Sequence, residues 1–186
     1  IFDAYRESYL DTHSCYPDFD KLAYLGLCFV GENEREAEKG ANKLLWYMES
    51  NKVPPVWSNP PGYHSPEISA KVMRGAGGTH VPQQPKLSEQ IAFGNVFAGT
   101  PDQVYKQIKA FWEYSGGFGH MLIMGQAGFL SDADALKSMR LYNNEVYPRL
   151  RELTKSVDAQ ELWEKSKKSP NKSFAELETF GLEFAR

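Results

Sequence analysis

Two short segments of this sequence place mobile or open backbone beside groups that recognise anions. Arg74 is followed by Gly75-Ala76-Gly77-Gly78-Thr79-His80. A permanent, planar cation next to a glycine cluster suits a lid that closes over a phosphorylated ligand, and a solvated loop arginine is the plain alternative. The second segment is Ala98-Gly99-Thr100-Pro101. Its glycine brings backbone close, and the amides of the helix that follows would favour phosphate or another anion, with Thr100 facing it. Thr100 acting only as the cap of that helix is equally readable from the same residues. Neither segment forms GxGxxG, so no dinucleotide fingerprint is present.

Met124-Gly125-Gln126 is a third candidate, because it directly follows an apolar pentapeptide. The four histidines, His13, His64, His80 and His120, have no HxxxH or HxH spacing and no adjacent carboxylate pair, so a metal site is not expected. His80 and His64 lie where substrate contact is conceivable, with an incidental loop position as the alternative. Nucleophile elbow, Cys/His pairing and P-loop are all missing.

The elements that must position these residues alternate. Leu22 to Val30 is a continuous apolar run, the pattern of a strand buried on both faces of a parallel sheet. Asn33 and Glu36 mark the start of a helix whose apolar residues run from Ala37 to Met48. Ile91 to Ala98 reads as a second strand, and Thr100-Pro101-Asp102-Gln103 starts a helix with an apolar face of Val104, Ile108, Phe111 and Trp112. Ser115 to Gly119 ends it, and His120 to Met124 is a third short strand. Ser131 and Asp134 cap a last helix, expected to bury Leu136, Met139, Val146, Leu150 and Leu153 and to kink at Pro148. Strand–helix alternation implies parallel strands joined by crossovers, so the class is α/β. Ligands in such folds bind beyond the carboxyl ends of the strands, where Gly99-Thr100 and Gly125-Gln126 fall.

Residues 51–90 form an excursion far longer than the usual loop of roughly 2 to 6 residues. It holds seven of the eleven prolines, and it reads as a lid or substrate loop or, more plainly, as a surface insertion. From Thr154 the composition turns polar, so 154–186 is expected to be a peripheral tail. The formal charge of -3 and the lack of a basic, aromatic-interleaved run argue against nucleic acid. With no apolar stretch of membrane length and no signal peptide, the cytoplasm is the expected location and a membrane is not an expected partner. Cys15 and Cys28 are expected to be free thiols.

Taken in order, NVFAGTPDQVYKQIKAFWEYSGGFGHMLIMGQAG and a helix ending NEVYPRLREL resemble the end of the luciferase-like flavin-dependent monooxygenase family. YRESYLDTHSCYPDFDKLAYLGLCFVGENEREAEKG resembles the preceding helix and strand of that family. The resemblance covers residues 1–153 and implies the C-terminal portion of a TIM-like (β/α)8 barrel, of which about three parallel strands are present. It implies reduced FMN supplied by a flavin reductase, O2 activated as a flavin hydroperoxide, and oxygenation of a small organic substrate. Arg74, Gly99 and Thr100 are then the cofactor-side residues. Gly77, Gly78, Thr79 and His80, with Met124, Gly125 and Gln126, belong to the lid and substrate side. The family's catalytic residues lie largely on earlier strands and are carried over to no position here. F420-dependent hydride transfer in the same superfamily, or a noncatalytic relative that pairs its strand edges with another chain, are the alternatives. Because Ile1 falls inside a helical pattern, a fragment inactive alone is expected, and a homo-oligomer is possible.

Overall fold

The computed structural model describes residues 1–50, 65, 67 and 86–167. Their central element is strand β1, Ala23–Val30, of which the last five residues are buried. Strands β2, Val96–Gly99, and β3, His120–Met124, flank it in the order β2-β1-β3, and both pair with it in parallel. The register runs from Leu27↔Val96 to Val30↔Gly99 on one side and from Ala23↔His120 to Leu27↔Met124 on the other.

Helices cover both faces. Helix α1 is Phe2–His13, α2 is Glu34–Leu44, α3 is Trp46–Ser50 and α4 is Leu87–Ala92. Helix α5 is Pro101–Tyr114, and α6, Asp132–Leu141, continues through a π-turn at Tyr142–Val146 into α7, Tyr147–Ser156. Helix α8 is Ala159–Lys167. Because side chains alternate along a strand, Cys28, Val30 and Phe97 pack with Val104, Ile108, Phe111 and Trp112 of α5. Leu27, Phe29, Val96 and Ala98 pack on the other face with Ala41 and Leu44 of α2, Ile91 of α4 and Ala135 of α6. A chain that keeps one hand of crossover must place α2 and α5 on opposite faces once β2 and β3 lie on opposite sides of β1.

The expected α/β class and three parallel strands are present. Their order, however, is not the consecutive order that a slice of a barrel would have. The physical reason is local to β2. Residues Asn95 and Gly99 direct their carbonyls to β1, at 3.0 Å from Leu27 N and Gly31 N, so Ala98 directs its polar groups to the opposite, outer edge. There the carboxamide of Gln107, fully buried, accepts from Ala98 N at 2.9 Å and donates to Ala98 O at 2.8 Å. A side chain thus occupies that edge at Ala98, while β3 pairs with the other edge of β1.

Three sequence expectations change. Ile91 belongs to α4, buried at i+4 from Leu87, so the strand starts at Val96 after a turn at Gly94 with φ +76°. In α6 the inward residues are Ala135 and Ser138, while Leu136 and Met139 are exposed. Small side chains let the helix approach β1 closely enough for Ser138 Oγ to accept from Val30 N at 2.8 Å. The polar tail also docks as far as Lys167. Trp163 of α8 is buried and donates to Asp3 Oδ1 at 2.9 Å. The buried Arg6 beside it donates to Ser115 O at 2.8 Å and Gly117 O at 2.5 Å, satisfying the carbonyls where α5 ends. The helix does run past Pro148 as expected, and the distortion is the π-turn just before it, with Tyr147 N bonded to Tyr142 O.

Candidate functional site at the carboxyl rim

The sequence places its anion-binding residues after the strands, and the structure brings two of the three segments to neighbouring positions around β1. Gly99 lies opposite Val30, and Gly31 N donates to its carbonyl. Gly99 has φ +150°, and a Cβ there would sit 2.7 Å from Gln103 Cβ, so glycine is required for the turn into α5. Met124 ends β3 opposite Leu27, and the buried Gly125 follows on the other flank of β1. The β3 rim therefore ends three registers below the β2 rim, with β1 between them. Gln126 is exposed and reaches only Asp132 Oδ1, at 3.4 Å.

Thr100 is half-buried at the N-terminus of α5, where its capping box with Gln103 is closed from both sides. Thr100 N donates to Gln103 Oε1 at 2.9 Å, and Gln103 Nε2 donates to Glu34 Oε1 at 2.5 Å. Thr100 therefore sits within the cap of α5, and Gln103 ties the N-terminus of α5 to that of α2.

Charge around this rim is largely paired. Lys137 bridges Glu32 at 2.9 Å and Glu36 at 2.7 Å, and these hydrogen bonds, Glu36 first, hold its ammonium above the usual lysine range. Lys43 meets Asp134 at 3.2 Å. The Asp134 carboxyl is held below the usual range, first by the Ser131 hydroxyl and then by Lys43. Sequence reasoning missed Arg149, whose guanidinium reaches the first turn of α5. It bonds Asp102 Oδ1 at 2.6 Å and stacks on Tyr105 at 3.8 Å from the ring centroid. No short-range pattern in NEVYPRLREL marks it, because its partner Asp102 lies 47 residues away in sequence. Ser138 and Gln107 were also missed.

Arg74, Gly77, Gly78, Thr79 and His80 lie outside the described residues. Without them, the α5 N-terminus carries Glu34 and Asp102 beside a closed capping box, and its guanidinium is already paired. These residues do not by themselves fit the phosphate of a flavin nucleotide. Among the described residues no group of histidine, cysteine and carboxylate side chains is arranged to hold a metal ion, and no helix is long and apolar enough to cross a membrane.

The fold is similar to that of two solved structures. One is the monooxygenase RslO1 from Streptomyces bottropensis, 16% identical over 80% of this chain and 36% of that one, with a TM-score of 0.51. The other is a type II Baeyer-Villiger monooxygenase, the oxygenating constituent of 3,6-diketocamphane monooxygenase from the CAM plasmid of Pseudomonas putida, in complex with FMN. It is 21% identical over 79% of this chain and 38% of that one, with a TM-score of 0.52. The chain thus spans a little over a third of the length of either structure. No protein-family model and no curated protein matches it. Fold and rim together define a parallel α/β protein with its candidate site at the carboxyl edge of the sheet.

Proposed function

We propose that this chain is the C-terminal part of a flavin-dependent monooxygenase of the luciferase-like family, using FMN reduced by a separate reductase and O2 to oxygenate a small organic substrate. The observation that supports the reading is a parallel α/β fold similar to that of two monooxygenases, one of them in complex with FMN, with the Gly99–Thr100 turn into α5 at its β1–β2 rim.

In this reading the described residues position the site more than they bind its phosphate. Gly99 makes the turn into α5, the Thr100–Gln103 box fixes the start of that helix, and Ser138 closes the end of β1. Met124, Gly125 and Gln126 form the rim on the other side of β1 and face substrate. The cationic contact falls to Arg74, and exclusion of water falls to Gly77, Gly78, Thr79 and His80.

The test uses the longest polypeptide encoded by the reading frame that contains Ile1–Arg186. Fed by a flavin reductase, FMN and NADH, it is expected to consume O2 and to convert a panel of small ketones and aldehydes to oxygenated products. O2 consumption identical to that of reductase and FMN alone would count against the proposal.

A further inference from the structure

A cavity of about 530 Å³ opens on the α5 side of the sheet, away from the carboxyl rim. Trp112 of α5, Met121 and Ile123 of β3, and Leu150 of α7 form its apolar walls. It lies between the edge strand β3 and α7, and the π-turn residues Tyr142 and Asn143 line it. π-turns inside helices are frequent at functional sites. Trp112 Nε1 donates to Phe118 O at 2.9 Å. The indole is therefore fixed, with its ring turned to the cavity as a rigid wall.

The polar groups at the mouth share one sign. Arg151 and Lys155 line it, and among the described residues no carboxylate does. Glu152, between them in sequence, is bonded to Lys155 at 2.8 Å and does not line the cavity. Arg151 makes no ion pair within 4.0 Å with a described residue, and its guanidinium lies 5.8 Å from the Tyr147 ring centroid. The half-buried Tyr142 also lines the cavity, and its hydroxyl makes no hydrogen bond to another described residue. Burial raises this phenol above the usual tyrosine range, so it stays protonated and can donate.

We propose that this cavity is a binding site for a small amphipathic carboxylate, its hydrocarbon body against Trp112, Met121 and Ile123 and its carboxylate held by Arg151 and Lys155. The volume lies within the roughly 300 to 1,000 Å³ of small-molecule sites, which combine apolar walls with a few polar groups that fix orientation. A guanidinium with no ion-pair partner matches a carboxylate in charge and geometry. A neutral amphiphile would leave the Arg151 guanidinium unanswered, and an organic cation would be repelled. The site is independent of the rim and of its flavin reading.

Decanoate, decan-1-ol and decylammonium serve as probes on the full 186-residue chain, followed by calorimetry and tryptophan fluorescence. Decanoate is expected to bind saturably at one site and to quench fluorescence, with the alcohol at least about tenfold weaker and the amine weaker still. The R151Q/K155Q double variant changes only exposed side chains and should keep its circular dichroism. It is expected to weaken decanoate about tenfold and leave the alcohol unchanged. Equal affinity for acid and alcohol, unchanged decanoate binding in the double variant, or no decanoate binding up to about 1 mM would each overturn the proposal.

Discussion

Gln107 and Ala98 are bonded twice, side-chain oxygen to backbone N–H and side-chain nitrogen to backbone carbonyl, at 2.9 and 2.8 Å. A carboxamide has the same donor and acceptor as a peptide unit, so this buried side chain takes the place of a neighbouring strand at the outer edge of β2. Edge strands expose unpaired groups that invite wrong pairing. Here one helix residue answers both outward groups of Ala98. Gln107→Leu leaves two buried polar groups unsatisfied, at about 1–3 kcal/mol each. The melting temperature is expected to fall by several degrees and the Ala98 amide to exchange faster, and an unchanged melt would show that the edge needs no such closure.

Thr100→Ala is expected to cost about 0.5–2 kcal/mol, the range for removing a helix cap, while Thr100→Ser stays close to the parent. The measurement is the urea midpoint of each variant. Equal losses for Ala and Ser would place the role of Thr100 in its methyl group rather than its hydroxyl.

Cys28 and Cys15 are both free, and they differ in environment. Burial pushes the Cys28 thiol up to about 12, whereas Cys15 is exposed. In the unfolded chain a cysteine ionises near about pH 8.5. The stability that Cys28 contributes is therefore complete below that value and is lost as pH rises toward its folded pKa, since only the unfolded state gains by releasing the proton. Cys28→Ala is expected to lose stability less steeply than the parent between about pH 9 and 11. Iodoacetamide is expected to label Cys15 at once and Cys28 only on unfolding. Simultaneous labelling of both would contradict the burial.

Leu25 and Leu122 lie opposite each other across β1 and β3, 53% and 50% exposed. An apolar pair on the open face of an edge strand favours association with another sheet. Leu122→Lys is expected to lower concentration-dependent self-association in light scattering without lowering the melting temperature. Unchanged self-association would direct attention to another surface.

Elements whose signal is local were readable in the sequence. The apolar run of β1, the Asn33 cap, the Thr100-Pro101 start of α5 and the pentapeptide of β3 all appear where expected, within a residue or so at their ends. Strand order was not readable, because it depends on which edge of β2 remains free. Gln107 settles that from a position where periodicity predicts an apolar residue, and a lone glutamine on the buried face of an otherwise apolar helix was the available clue. The expectation that Leu136 and Met139 turn inward failed for a related reason. Ranking by hydrophobicity favours large residues, whereas close approach of α6 to β1 requires Ala135 and Ser138. At the candidate site the glycine-threonine turn was legible, but the Arg149–Asp102 pair joins residues 47 apart and leaves no short-range pattern.

The most direct measurement is an equilibrium titration of the polypeptide encoded by the whole reading frame with FMN and, separately, with F420, followed by flavin fluorescence. The account predicts saturable FMN binding with Kd of about 1 µM or below, F420 markedly weaker, and only weak FMN binding by Ile1–Arg186 alone, whose described rim lacks a phosphate cradle. Preference for F420 or no flavin binding by the long polypeptide would contradict the monooxygenase assignment, and tight FMN binding by Ile1–Arg186 alone would contradict the reading of its rim.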